Sequence, residues 1–276
     1  MEMVQKICCV LVEPKGFERK PALKCKKKLF EMLKENGVLG QGVEVEVKPL
    51  EKGLKEFYIY TSYTYFEFLT TYHIVEAMIQ AEREGFSAAT VACYFDPGIE
   101  EARSILKIPV IGICEASMLL ARMLSSGKGT AIITMSDRAV TKINELIDKY
   151  KFRPFMISKD PVREVPQDLY IKASTSYLPE DIKKLKETYM KVGEKCVSDG
   201  AEVIITGCGG LGPLLAVEGL REIEGVPVID PVTAAIALAR TLIDLKKIGL
   251  EFSKRFMYQP TEKDWEKGRE SFGLPP

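Results

Sequence analysis

Histidine is nearly absent from this 276-residue sequence, since His73 is its only example. A Ser-His-Asp or Cys-His catalytic arrangement would have to use His73, which lies in an amphipathic helix pattern and is interpreted as a packing or surface residue. Seven cysteines are present, but they form no C-x-x-C pair and no histidine cluster accompanies them. The sequence therefore predicts no zinc or other metal site, and reduced thiols in a cytoplasmic protein fit it best.

An excess of charge of one sign and long apolar runs are also missing. Lys plus Arg and Asp plus Glu each total 39, which leaves no basic surplus for a phosphate backbone or an anionic lipid surface. No apolar run approaches the roughly 20 residues of a membrane helix, and the apolar N-terminal stretch lacks the flanks of a signal peptide. We therefore expect neither a nucleic-acid nor a membrane partner.

Short Val/Ile-rich runs alternate with helical patterns along the chain. Strands are predicted at 6–12, 43–50, 88–93, 108–113, 129–135, 202–207 and 226–230, and helices at 19–36, 67–84, 98–106, 115–125, 137–150, 180–198, 211–222 and 232–248. This alternation is typical of βαβ units in an α/β fold with mainly parallel sheets. Two segments interrupt it: the aromatic-rich 55–68, a candidate lid or interface, and the proline-containing 157–179, interpreted as a loop.

Two stretches of the chain, 85–122 and 200–240, are similar to each other. Each begins with glycine, has a cysteine eight residues later, and reaches a Pro-Val-Ile strand whose proline lies thirteen residues before an arginine. The cysteines are Cys93 and Cys208. The repeat predicts two related α/β halves, each with a cysteine at the carboxyl end of a strand.

The repeat also suggests how the chain divides. We expect a first α/β domain over 1–126, completed by 232–276, and a second over 127–231. The predicted fold is thus two pseudo-symmetric α/β domains with mainly parallel sheets and an active cleft between them.

Ligands bind at the carboxyl ends of parallel strands, where both Cys93 and Cys208 are predicted to lie. Asp96 and Pro97 are typical of a helix start, and helix N-terminal amides stabilise a thiolate that can act as a base. Two such groups on opposite sides of one carbon can remove a proton from one face and return a proton to the other. Racemisation needs this arrangement.

Cysteine at a strand end is more often an inert packing residue than a reactive one. The equivalent positions of Cys93 and Cys208 in the repeat favour a functional interpretation for this pair. The other five cysteines have no such counterpart and are interpreted as structural.

The segments CYFDPGIEEAR…IPVIGICEASMLLAR and GAEVIITGCGGLGP…VPVIDPVTAAIALAR resemble the aspartate/glutamate racemase superfamily, in particular its hydantoin and allantoin racemase branch. The Asp-Pro-Gly after Cys93 and the segment 112–116 favour that branch. The resemblance is specific over about 85–136 and 200–248. It implies a cofactor-independent racemase or epimerase whose opposed acid and base are Cys93 and Cys208, and a homo-oligomer as the assembly.

The same resemblance implies that loops at the strand ends hold the polar groups of a small-molecule substrate. The candidate substrate-binding residues are Glu13, Tyr94, Phe95, Glu115, Thr134, Ser136, Gly209 and Gly210. Relatives usually carry Asn-Pro-Asn-Thr/Ser after the first strand, whereas this chain has Val-Glu-Pro-Lys-Gly-Phe. Glu13 and Lys15 thus place charged side chains where relatives have neutral amide and hydroxyl groups, which indicates that the substrate differs from theirs. Nothing in the sequence marks a lysine for pyridoxal phosphate, and the cysteine pair makes that cofactor unnecessary.

Other functions remain open at this point. A cysteine-dependent decarboxylase or cis-trans isomerase on the same fold is one alternative, and a non-catalytic protein that binds a small carboxylate or ureide is another. Two rapidly alkylated cysteines that a ligand protects would favour catalysis over binding. Nucleotide binding by the glycines of 207–212 is disfavoured, because no Gly-Lys-Ser/Thr follows them.

Overall fold

A computed structural model describes residues 4–17, 20–55, 63–251, 253 and 260–275, without the side chains of 20–22. The strands are β1 (Gln5–Pro14), β2 (Val43–Leu50), β3 (Ala88–Val91), β4 (Val110–Gly112), β5 (Thr130–Thr134), β6 (Val162–Glu164), β7 (Val203–Thr206), β8 (Glu222–Ile223) and β9 (Val226–Ile229). The α-helices are α1 (Lys20–Glu35), α2 (Thr64–Arg83), α3 (Ile99–Arg103), α4 (Ile113–Leu124), α5 (Asp137–Lys149), α6 (Gln167–Ser176), α7 (Pro179–Ser198), α8 (Leu211–Val217), α9 (Pro231–Lys247) and α10 (Glu262–Ser271). The alternation of short apolar strands and helices read from the sequence is thus present.

The strands form two sheets. The first has the order β2-β1-β3-β4 and is entirely parallel, while the second has the order β6-β5-β7-β9-β8 and is parallel except for the pair β8 and β9. Strands β3 and β7 are buried along their whole length. Continuous burial is expected for a parallel sheet whose two faces are both covered, and it explains why these strands read as unbroken Val/Ile/Ala/Thr runs.

The two sheets are arranged alike. The strand that precedes each cysteine of the repeat, β3 or β7, occupies the third place in its sheet and lies beside β1 or β5 respectively. The prediction of an α/β fold with two pseudo-symmetric halves and mainly parallel sheets is confirmed.

The last two helices both contact the first sheet's side of the molecule. Helix α9 follows the second sheet along the chain but packs against α4, β3 and β4. It begins at the predicted Asp-Pro pair, where the Asp230 carboxylate accepts the N–H groups of Val232 and Thr233. Helix α10 is attached to α2 by Arg269, which donates to both carboxylate oxygens of Glu76 at 2.7 and 2.9 Å. The domain boundary near residue 126, the homo-oligomer and the cytoplasmic location stay predictions.

The interpretation of 157–179 as a loop is wrong, because this segment contains β6 and all of α6. The strand has only three residues. The helix buries only Tyr170, Ala173 and Ser174 against the second sheet, and this pattern is too short to be recognised in a sequence that contains several prolines. The predicted helix over 211–222 ends early, at Val217. Of the aromatic segment 55–68, residues 56–62 lie outside the described residues. None of the described helices has the length and apolar character needed to span a bilayer.

Candidate active site

The carboxyl ends of β1, β3, β5 and β7 meet at one cavity, so both sheets contribute to it. Its walls are formed by Val12, Glu13, Lys26, Ala92, Cys93, Tyr94, Phe95, Thr134, Met135, Ser136, Ala139, Gln167, Tyr170, Gly207, Cys208, Gly209 and Gly210. A concave site at converging strand ends is the usual place for a ligand in an α/β fold.

Cys93 and Cys208 occupy matching positions at this cavity. Each lies two residues beyond the last residue of its strand, which is Val91 in β3 and Thr206 in β7. Both side chains line this one cavity, and negative charge on Cys208 adds to the larger effect of burial in raising the pKa of Cys93. The structure therefore brings together the two cysteines that the repeat singled out.

The sulfur of Cys208 is held at the beginning of α8. It accepts the backbone N–H groups of Gly210 and Leu211, both at 3.4 Å, and its thiol lies 3.8 Å from the sulfur of Met135. Two N–H groups that point at one sulfur stabilise negative charge there. The two backbone N–H groups thus fix the position of the Cys208 sulfur at the cavity wall.

Cys93 has a different environment. Burial raises the pKa of its thiol well above the usual range, and the N–H group of Phe95, which donates to the sulfur and lowers the pKa, does not offset this. Helix α3 begins only at Ile99, so its N-terminus is too far along the chain to stabilise a thiolate at Cys93. The helix that follows Cys93 along the chain therefore does not place its N-terminal amides at this sulfur.

Asp96 caps a helix, but not the one predicted. Its carboxylate accepts the N–H groups of Cys114 and Glu115 in the first turn of α4, both at 3.0 Å, and the hydroxyl of Tyr150, also at 3.0 Å. Helix α3 instead has Gly98 at its N-cap. Asp96 itself has a φ of 47°, in the left-handed region, which turns its side chain toward α4. The loop that carries Cys93 is thereby fixed to α4.

This buried carboxyl predicts a specific pH dependence of stability. Burial raises the pKa of Asp96 to about 6 from 3.8. Between these values the folded protein keeps a proton that the unfolded chain has lost, so Asp96 makes stability fall as the pH rises from about 4 to 6, by up to about 3 kcal/mol. Asp96→Asn removes this contribution, and its effect is measured by urea unfolding of both proteins from about pH 4 to about pH 8.5.

Subtracting the two unfolding free energies cancels every other titrating group. The difference, wild type minus Asp96→Asn, should decline between pH 4 and 6 and stay level above about pH 7, since both states are then ionised. A difference that is constant over the whole range would contradict the raised pKa of Asp96.

Thr134 and Ser136, the two candidate residues with hydroxyl groups, line the cavity at the second sheet, and each hydroxyl group forms a hydrogen bond within the protein. Thr134 donates to the carbonyl oxygen of Gly207 at 3.0 Å, which joins β5 to the loop of Cys208. Ser136 accepts the N–H group of Ala139 at 3.2 Å as the N-cap of α5. The Ser136 hydroxyl keeps its own proton for donation, so of the two it is the better placed to contact a ligand.

The remaining sequence candidates divide into two groups. Glu13, Phe95, Gly209 and Gly210 line the cavity, and so does Tyr94, although the Tyr94 hydroxyl lies 3.3 Å from Ser117 Oγ in the core. Glu115 does not line it: its carboxylate forms an ion pair with Arg103 at 2.6 Å. The geometry thus corrects the expectation for Glu115, whose side chain lies along α4 and faces α3.

Gly209 places the two cysteine loops in contact. A Cβ atom at this position would overlap the backbone carbonyl group of Ala92, the residue before Cys93. The glycine was expected to let the backbone approach a ligand, but here it lets one loop approach the other. The relative position of the two thiols therefore depends on the absence of a side chain at residue 209.

Three polar residues of the wall were not predicted: Lys26 of α1, and Gln167 and Tyr170 of α6. Lys26 is 3 % exposed and lies in phase with the buried Leu29, Phe30 and Leu33 of α1. A lysine at the position of an apolar residue in a helical stripe is the signal that could have found it.

Comparison with known proteins identifies racemases, both by a family model and by an individual relative. The family model for Asp/Glu/hydantoin racemases matches residues 66–239. A hydantoin racemase of Pseudomonas sp. (strain NS671) is 31% identical over 211 residues, which cover 76% of this chain and 78% of that protein.

Two solved structures share the fold. Allantoin racemase from Klebsiella pneumoniae aligns with a TM-score of 0.72 and 23% identity over 94% of both chains. Allantoin racemase from Pseudomonas fluorescens aligns with a TM-score of 0.72 and 24% identity, over 94% of this chain and 97% of that one.

Proposed function

Because this chain belongs to the Asp/Glu/hydantoin racemase family, we propose that it racemises or epimerises a hydantoin- or ureide-type substrate without a cofactor, with Cys93 and Cys208 as opposed acid and base. The observation that carries the proposal is the presence of both cysteines in one cavity, each two residues beyond equivalent strands of the two sheets. The hydantoin racemase name of the Pseudomonas relative supports the substrate class.

The chemistry takes place at a carbon next to a carbonyl group. A thiolate removes the proton from one face of that carbon, the electron pair left behind delocalises into the carbonyl as an enolate, and the opposite thiol returns a proton to the other face. The C–H bond is thus broken on one side and formed on the other, and the two sulfurs exchange their charge states. The reverse reaction uses the same groups in the opposite roles.

The two sulfurs have different surroundings. The Cys208 sulfur accepts two N–H groups, while burial raises the pKa of the Cys93 thiol. For one enantiomer Cys208 is the base and Cys93 the acid, and for the other enantiomer the two cysteines exchange these roles.

The direct test follows enantiopure hydantoins with different ring substituents, and allantoin, in D₂O. We expect optical rotation to fall to zero and one deuterium to appear at the stereocentre, detected by polarimetry and NMR. Dialysed protein with no added cofactor should suffice. Tight binding of these compounds with neither loss of rotation nor deuterium uptake would instead support a non-catalytic binding protein.

A further inference from the structure

The cavity has one wall that is rich in hydrogen-bond donors and is made by two helices. Lys26 of α1 and Gln167 of α6 both line the cavity, and the two helices pack against each other. Among the described residues, no hydrogen bond or ion pair is found for the Lys26 ammonium group or for the Gln167 amide. Lys26 is nevertheless 3 % exposed.

Nearby carboxylates do not neutralise Lys26. Asp230, which like Lys26 influences the pKa of Cys9, uses its oxygens to accept from Val232 and Thr233 at the start of α9. Glu13 lines the same cavity and has an interaction of its own, but no ion pair with Lys26 is found in the described part of the chain. The cavity therefore contains a buried positive charge without a counter-ion from the described part of the protein.

A buried ammonium group without a counter-ion is costly, because it has given up water for no equivalent partner. The cost is removed when a ligand brings an anion. A neutral hydantoin ring brings carbonyl oxygens, which are weaker acceptors for a cation than a carboxylate is.

From this arrangement, and resting on the proposed function, we infer that the substrate is a hydantoin or ureide with a carboxylate-bearing substituent. The reacting carbon lies between Cys93 and Cys208, and the carboxylate reaches the wall made by α1 and α6. There Lys26 forms the ion pair and Gln167 donates a second hydrogen bond. Lys26 acts as a specificity-determining residue, since its contact is to the substituent and not to the reacting carbon.

Two matched ligands test the inference. One is the hydantoin whose ring carbon carries a carboxyethyl arm, and the other carries the isosteric, neutral carbamoylethyl arm. We expect the wild-type protein to prefer the carboxylate by roughly 10- to 100-fold, both in kcat/KM for racemisation and in Kd from calorimetry, the range of a charge-assisted hydrogen bond. The preference should arise mainly in KM.

Lys26→Met keeps the length of the side chain and removes its charge, so it should lower kcat/KM for the carboxylate at least tenfold more than for the amide. Lys28→Met is the control, because Lys28 is an exposed lysine on the same helix. It removes the same charge and should leave the preference of the wild type intact. Thermal unfolding of both variants establishes that they are folded.

A wild-type protein that binds and converts the two ligands equally would overturn the inference, whatever happens to the variants. Equal losses on both ligands in Lys26→Met would overturn it as well, since they would indicate a general effect on the site. Failure of the proposed function is distinguishable, because it would appear as no deuterium uptake from any hydantoin. The calorimetric comparison would then still decide whether a carboxylate is preferred.

Discussion

Replacement of Cys93 or Cys208 by alanine is expected to lower racemisation by at least about 10³-fold, because each thiol supplies a proton transfer that nothing else in the cavity replaces. Proton exchange should behave differently. The remaining cysteine can still remove a proton from the face that it contacts and return one there. Each variant should therefore incorporate deuterium into one enantiomer only, without inverting it, and the two variants should select opposite enantiomers.

This pattern is measured by NMR of the separate enantiomers in D₂O, with chiral chromatography to detect inversion. Cys196→Ala is the matched control, since Cys196 is a buried free cysteine that belongs to the core of the second half and does not line the cavity. It should keep wild-type racemisation. Full racemisation by Cys93→Ala or Cys208→Ala would rule out the two-base mechanism.

Gly209→Ala is expected to reduce activity by about 100-fold or more with both cysteines present, because misplacing reacting groups by about 1 Å has effects of this size. The new methyl group would overlap the carbonyl carbon and oxygen of Ala92, and backbone atoms cannot rotate away as a side chain can. The loops of Cys93 and Cys208 must separate. Overpacking of this kind should also cost about 1–3 kcal/mol of unfolding free energy.

The control for this substitution is Gly268→Ala. Gly268 lies inside α10, and a Cβ atom there would meet no neighbouring atom within 4 Å. Because alanine is a better helix former, the variant should be more stable by about 0.5–1 kcal/mol and equally active. Denaturant unfolding and racemisation kinetics measure both variants. Wild-type kcat in Gly209→Ala would mean that the cavity tolerates wider spacing of the thiols.

Regular patterns in the sequence were sufficient to predict seven of the strands and the position of the two cysteines, but not the short strands β6 and β8. The strand predicted over 43–50 has those bounds, and helix α7 differs from its prediction by one residue. The internal repeat predicted that Cys93 and Cys208 lie at equivalent strand ends, because the glycine, cysteine and Pro-Val-Ile spacings that define the repeat lie within each half of the chain. Contacts between the halves, such as that of Gly209 with Ala92, leave no such signal.

The Asp-Pro pair illustrates the limit of local rules. Asp230-Pro231 starts α9 as predicted, whereas Asp96-Pro97 does not start α3. The difference lies in the next residues and in a distant helix: Gly98 has a φ of 78°, and α4 offers unpaired N–H groups to the Asp96 carboxylate. Lys26 was not predicted because several exposed lysines surround it in the sequence of α1. Its burial depends on the elements that pack against this helix.

The path of α9 has a consequence for how the molecule assembles during folding. Val232, Ala235 and Ile236 of this helix belong to the same apolar cluster as Ile7 of β1 and residues of β5 and β7, so one core runs through both halves. An N-terminal fragment that stops before the second sheet would lack the helix that covers β3 and β4. Such a fragment would expose an apolar sheet face until the rest of the chain arrived. The strand that leads to Cys93 can therefore be fully covered only after α9 (Pro231–Lys247) has been synthesised.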